Sequence, residues 1–131
     1  MFPLNVFPDT AKIDELGQLT IGGCNTLDLA QEYGTPVYVF DEETLRSRCR
    51  SFVREFNQRA PGTQVLYASK AYINPALVRI LNEEGLGLDV VSGGELAVAL
   101  SGGLPAQRVD FHGNNKSPQE LAEAVEQGIG R

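Results

Sequence analysis

Between residues 63 and 128 the chain repeats one pattern three times: a short apolar run, a turn of small or polar residues, a helix-start signal, an amphipathic stretch and a glycine. The apolar runs begin near residues 65, 88 and 109, 23 and 21 residues apart. Strands and helices alternating with connections this short predict a parallel sheet with right-handed helical crossovers. The helix boundaries are written in the turn residues. Asn74 precedes Pro75, a cap followed by a proline at the first helical position, and that helix stops at Gly85. The second runs from about residue 94 to residue 100 and stops at Gly102-Gly103. The third opens on Ser117-Pro118-Gln119-Glu120, a capping box. It is expected to carry Leu121 and Val125 inward and to stop at Gly128.

Upstream the pattern is less regular. In residues 1–35 a strand ending in Gly22-Gly23 and a helix over 27–33 are the only elements the pattern suggests. Residues 35–40, Thr-Pro-Val-Tyr-Val-Phe, read as a strand by β-branched and aromatic content, with proline at its tolerated first position. Asp41 then caps a helix whose first turn holds Glu42 and Glu43, where the helix dipole favours anions. Leu45, Cys49, Phe52, Val53 and Phe56 follow the spacing of one buried stripe.

Composition narrows the class. Hydrophobic residues make up 42% of the 131, enough for a packed core, and no apolar run reaches the eighteen or so residues a membrane helix needs. The opening Met1-Phe2-Pro3-Leu4-Asn5 lacks the basic start and apolar stretch of a signal peptide, so a cytoplasmic location is expected. Seventeen acidic residues against eleven basic ones give a net charge of −6. The basic residues form no stripe, which argues against nucleic-acid binding. Cys24 and Cys49 are too few for a disulfide scaffold, and with the single His112 they have no metal-ligand spacing. No metal is expected, and Cys49 reads as a small buried hydrophobe.

Three strand–helix units are too few to close an eight-stranded barrel of about 200 residues or more, so the chain reads as the opening of a larger α/β barrel. In such folds chemistry gathers where strands end. The first strand end bears Lys70 and the second bears Asp89-Val90-Val91-Ser92-Gly93-Gly94-Glu95. The third bears His112-Gly113-Asn114-Asn115-Lys116-Ser117. Each has an ordinary structural reading: Lys70 as a solvated loop residue, Asp89 as a turn cap, Glu95 in a first helical turn, His112 as a hydrogen-bonded loop residue. Polar clusters at three consecutive strand ends carry more weight together, because parallel strands bring their C-termini to one rim. A lysine there, among small residues and an apolar strand, is placed to be desolvated and to attack a carbonyl as a Schiff-base former. Gly93-Gly94 before a helix has neither Rossmann nor P-loop spacing, and no phosphate is assigned to it.

These segments resemble a known family. Tyr67-Ala68-Ser69-Lys70-Ala71, Gly87-Leu88-Asp89-Val90-Val91-Ser92-Gly93-Gly94-Glu95-Leu96 and Phe111-His112-Gly113-Asn114-Asn115-Lys116-Ser117 are similar to the diaminopimelate decarboxylases. These belong to the alanine-racemase-like, fold type III group of pyridoxal-phosphate enzymes. The resemblance covers roughly residues 20–131. The lysine segment alone would suit ornithine or arginine decarboxylases as well; the other two favour the diaminopimelate branch. Tyr72 departs from the family, which more often has asparagine directly after the Lys-Ala pair.

The resemblance implies the N-terminal part of a (β/α)8 TIM-type barrel over residues 36–131, with residues 1–35 a lead-in associated with a separate β domain. It implies pyridoxal 5'-phosphate as cofactor, Lys70 as the catalytic and cofactor-binding Schiff-base lysine, and Asp89 as a cofactor-binding carboxylate. Glu95 matches an acid of the family, and His112 is not the histidine that stacks on the cofactor ring. The implied reaction is decarboxylation of meso-2,6-diaminopimelate to L-lysine, the last step of lysine biosynthesis, by a homodimer. The implied phosphate cradle, ring-stacking histidine and β-domain residues belong to parts of the family fold beyond Arg131, so these residues alone are expected to be inactive. A pyridoxal-phosphate carrier protein of the same fold group and a non-catalytic half-barrel module are the competing readings.

Overall fold

The computed structural model describes residues 6–131; the Met1-Phe2-Pro3-Leu4-Asn5 segment read above for a signal lies outside the described residues. The chain forms two compact units, one ending at Arg48 and the other Cys49–Arg131.

In the first unit β1 (Lys12–Ile13), β2 (Leu19–Ile21) and β3 (Cys24–Asn25) form an antiparallel meander in that order. Lys12 lies opposite Thr20, and Ile21 opposite Cys24. The sequence pattern showed only the middle strand, because two-residue strands are too short to alternate. Asn25 caps α1 (Thr26–Tyr33), its side chain accepting from Leu27 N at 2.8 Å. Residues 36–40 form no strand, contrary to the expectation from their composition. β-propensity describes fit to a half-buried pleat, and here Val37, Tyr38, Val39 and Phe40 all remain substantially exposed with no strand hydrogen-bonded alongside among the described residues. Buried Asp41 does cap α2 (Glu42–Arg59): its carboxylate accepts from Thr44 N at 3.1 Å and from the Thr44 hydroxyl. Those bonds, the hydroxyl's first, hold the Asp41 carboxyl below the usual range.

The second unit is the three-fold repeat. It contains β4 (Leu66–Ala68), α3 (Pro75–Glu83), β5 (Gly87–Val90), α4 (Gly93–Ser101), β6 (Val109–Phe111) and α5 (Pro118–Gln127). The strands lie parallel in the order β4-β5-β6, with Ala68 opposite Asp89 and Asp89 opposite Asp110. One face of this sheet is apolar. Leu88, Val90 and Val109 are fully buried beside Val78, Leu81, Leu96 and Ala99 of the helices. The other face carries Ala68, Asp89 and Asp110 in one register row. Gly87 opens β5 because nothing larger fits: a Cβ would stand 2.4 Å from the Arg108 carbonyl and 2.7 Å from Leu66 Cδ2. Gly130 meets the Gln107 carbonyl in the same way, at 2.4 Å. Beyond α5 the backbone turns back along β6, with Gly130 N bonded to Val109 O and Phe111 N to Arg131 O.

Two apolar stripes are less covered than their spacing predicts. Cys49 of α2 is buried, but Phe52 and Phe56 are about half exposed. On α5 the buried residue is Ala124, while Leu121 is half exposed and Val125 lies 80% exposed. Helical spacing places side chains on one face but does not supply what covers it. Among the described residues no helix is long and apolar enough to cross a membrane.

Candidate functional site at the strand ends

Parallel pairing brings the C-terminal ends of β4, β5 and β6 to one rim, as the repeat predicted. Lys70 sits in a 3₁₀ turn, Ser69–Ala71, directly after β4. The structure differs from the sequence reading here: Lys70 is exposed, and the residue driven inward is Ser69, at 2% exposure. In a tight turn neighbouring side chains diverge, so the apolar strand before the lysine does not desolvate it.

Asp89 lies next to the last residue of β5, opposite Ala68 and so two positions from Lys70 in register. Its Oδ1 is buried and makes no hydrogen bond among the described residues, and the same holds for Ser69 Oγ. His112 follows β6 at once; its Nδ1 stands 3.9 Å from that Asp89 oxygen, within Coulomb reach but beyond a hydrogen bond. Leu66, Ala68, Asp89, Asp110, Phe111, His112 and Arg131 line a cavity of about 380 Å3 on this face. Lys70 does not line it, so the structure joins Asp89 to His112 and leaves Lys70 at the edge of the same rim.

Glu95 proves to be part of the helix start. Its carboxylate accepts from Val91 N at 2.8 Å, while Ser92 Oγ accepts from Glu95 N at 3.3 Å. The α4 N-terminus that Gly93-Gly94 opens is also occupied from within: Gly93 N donates to Glu120 Oε1 at 3.0 Å. Glu120 additionally accepts from Ser117 N at 2.9 Å, completing the capping box of α5. These backbone bonds, the one from Ser117 first and that from Gly93 second, hold the Glu120 carboxyl below the usual range. One side chain thus ties the loop after β5 to the loop after β6. Lys116, in that second loop, donates to Gly113 O at 2.6 Å and lies 5.2 Å from the centre of the Phe111 ring.

Sequence reasoning overlooked Asp110, which faces the cavity and lies 3.6 Å from Arg131. The alternation of Val109, Asp110 and Phe111 was the available signal. It also overlooked Tyr67, whose hydroxyl donates to Tyr72 O at 3.0 Å across the lysine turn. Burial raises the Tyr67 phenol pKa. No sequence pattern announces a bond of that kind.

The layout is a parallel α/β sheet with a charged rim row and a lysine in the turn after its first strand, and comparison with known proteins identifies its class. Residues 42–131 match the family profile described as pyridoxal-dependent decarboxylase, pyridoxal binding domain, and the chain belongs to that family. The diaminopimelate decarboxylase of Bacillus methanolicus is 51% identical over 124 residues, 95% of this chain and 29% of the relative. That of Mycobacterium tuberculosis H37Rv is 48% identical over 126 residues, 96% of this chain and 28% of the relative. Among solved structures, diaminopimelate decarboxylase from M. jannaschii in co-complex with L-lysine superposes with a TM-score of 0.82 at 33% identity. That superposition covers 93% of this chain and 29% of the other. The chain therefore spans less than a third of the length of the relatives it matches.

Proposed function

We propose that these residues are the cofactor-attaching end of a diaminopimelate decarboxylase, a carboxy-lyase converting meso-2,6-diaminopimelate to L-lysine and carbon dioxide with pyridoxal 5'-phosphate. The observation that carries this reading is the rim: Asp89 Oδ1, buried and without a hydrogen bond, lies two register positions from the turn that holds Lys70. A buried acceptor left unmatched costs about 1–3 kcal/mol, so the site fits a ligand that brings a donor to that oxygen. The cavity beside it falls in the size range of small-molecule sites, roughly 300–1,000 Å3.

When bound, the cofactor supplies a conjugated electron sink for the electron pair released as the carboxylate leaves. This chain's residues do the holding. Lys70 Nζ, exposed on the rim, would supply the amine that holds the cofactor's aldehyde. Asp89, two register positions from Lys70, would present its carboxylate to the bound group. His112 lines the same cavity, its Nδ1 3.9 Å from Asp89 Oδ1. The domain assignment follows the same reading: residues 36–131 belong to the barrel and residues 1–35 to a lead-in associated with a β domain. The complete enzyme is read as a cytoplasmic homodimer with an amino-acid substrate and no nucleic-acid or membrane partner.

The test is Lys70→Ala in the complete enzyme, assayed for carbon dioxide release from meso-diaminopimelate, ornithine and arginine. Release from diaminopimelate by the parent and its near-abolition in the variant are expected. Release from ornithine or arginine instead would select the related decarboxylases, and cofactor uptake with no release from any of them would select the carrier protein.

A further inference from the structure

The turn that carries Lys70 is braced from both sides. Tyr67, the second residue of β4, donates its hydroxyl to the Tyr72 carbonyl at 3.0 Å, closing a loop of six residues around Lys70. Asn74 Nδ2 donates to the Tyr72 hydroxyl at 3.0 Å, and Asn74 Oδ1 accepts from Leu77 N at 2.8 Å, capping α3. Strand, lysine turn and helix start are thus linked through one residue, Tyr72, whose backbone serves the strand side and whose side chain serves the helix side. Ser69, the first residue of the turn, is buried between them.

We infer that Tyr67 is a positioning residue for Lys70, fixing through its hydroxyl the turn from which the amine reaches the cofactor. The inference rests on the function proposed above and extends it to a residue outside the rim row. An exposed lysine has many rotamers, and ordering its backbone removes part of the freedom that attachment must otherwise freeze out. Asn74 supports the same geometry from the helix. Tyr67→Phe keeps the ring and removes only the donor.

The experiment follows the complete enzyme stripped of cofactor. Pyridoxal phosphate is added, the rate of its attachment is read by visible absorbance, and the product is reduced with borohydride and located by peptide mass. Label at residue 70 in the parent, lost in Lys70→Ala, checks the underlying reading, and label at a different lysine in the parent would overturn that reading rather than this one. In Tyr67→Phe the attachment rate should fall roughly 2- to 10-fold, the range set by one net hydrogen bond, whether or not the thermal midpoint of the stripped enzyme falls with it. A lowered midpoint with wild-type attachment would show a structural role only and overturn the inference, as would wild-type values of both. Should Tyr67→Phe not fold, Asn74→Ser retains a competent helix cap but cannot reach Tyr72. It should slow attachment in the same direction, and wild-type attachment in that variant would also overturn the inference.

Discussion

Asp89 shows how much of a site rests on a single residue's neighbours. It faces away from the apolar layer because its flanking residues, Leu88 and Val90, are fully buried against the helices. Strand alternation then leaves Asp89 no face but the cavity. Asp110, one strand over, shares that fate and lies within 3.6 Å of Arg131. Among the described residues Asp89 has only the distant His112. Asp89→Asn keeps the shape and removes the charge. If the carboxylate meets a donor on the bound cofactor, kcat/KM in the complete enzyme should fall on the order of tenfold or more, since charged hydrogen bonds contribute about 1.5–3 kcal/mol. Cofactor release measured by dialysis should quicken in parallel. Unchanged kinetics would remove Asp89 from the site.

At the scale of elements, the helix starts hold the rim in place. Ser92, Asn74 and Ser117 each cap a helix directly after a strand end, so the polar loops are fixed by the same bonds that begin the helices. Glu120 extends this from one loop to the next through Gly93. Its carboxyl is held below the ordinary glutamate value of about 4.3. A carboxyl with a depressed folded-state pKa contributes stability above its unfolded value and loses it as pH falls through the folded one. Glu120→Gln should therefore lower the thermal midpoint at pH 7. The gap should close as pH falls below the ordinary glutamate range and through the depressed folded-state value, where the parent carboxyl takes up its proton. A constant gap across that range would show that the charge is irrelevant. Gly87→Ala tests the strand entry. Its Cβ would press on the Arg108 carbonyl and Leu66, a backbone collision that cannot relax by a side-chain turn. A loss of about 1–3 kcal/mol in unfolding free energy is expected, read by denaturant titration.

For the whole molecule the decisive fact is coverage. The chain accounts for 29% of its Bacillus methanolicus relative, and several apolar side chains of the second unit remain open to solvent. Phe52, Phe56, Leu121 and Val125 are each at least half exposed. Patches of that kind mark surfaces that further protein normally covers. The 131 residues expressed alone should bind the dye ANS strongly, a property the complete enzyme should largely lose. They should also release no measurable carbon dioxide from diaminopimelate, because misplacement by about 1 Å already costs on the order of a hundredfold in rate. Turnover comparable to the complete enzyme would show that these residues suffice.

What the sequence determined by itself was local. Asn74-Pro75, the Ser117–Glu120 box and Gly128 specify helix ends through bonds spanning a few residues, and α3 and α5 form where those signals stand. The parallel order and the common rim were legible because short crossovers leave few topologies open. Tertiary structure decided what depends on a partner distant in the chain. Residues 36–40 have strand composition, yet a strand exists only with a neighbour to bond, and none is present among the described residues. Phe52 and Val125 have helical spacing, yet burial requires an opposing surface. The exposure of Lys70, the unmatched oxygen of Asp89 and the 27-residue reach of Glu120 to Gly93 depend on how turns and sheet edges meet in space. Bonds across such separations leave no periodic trace in the sequence.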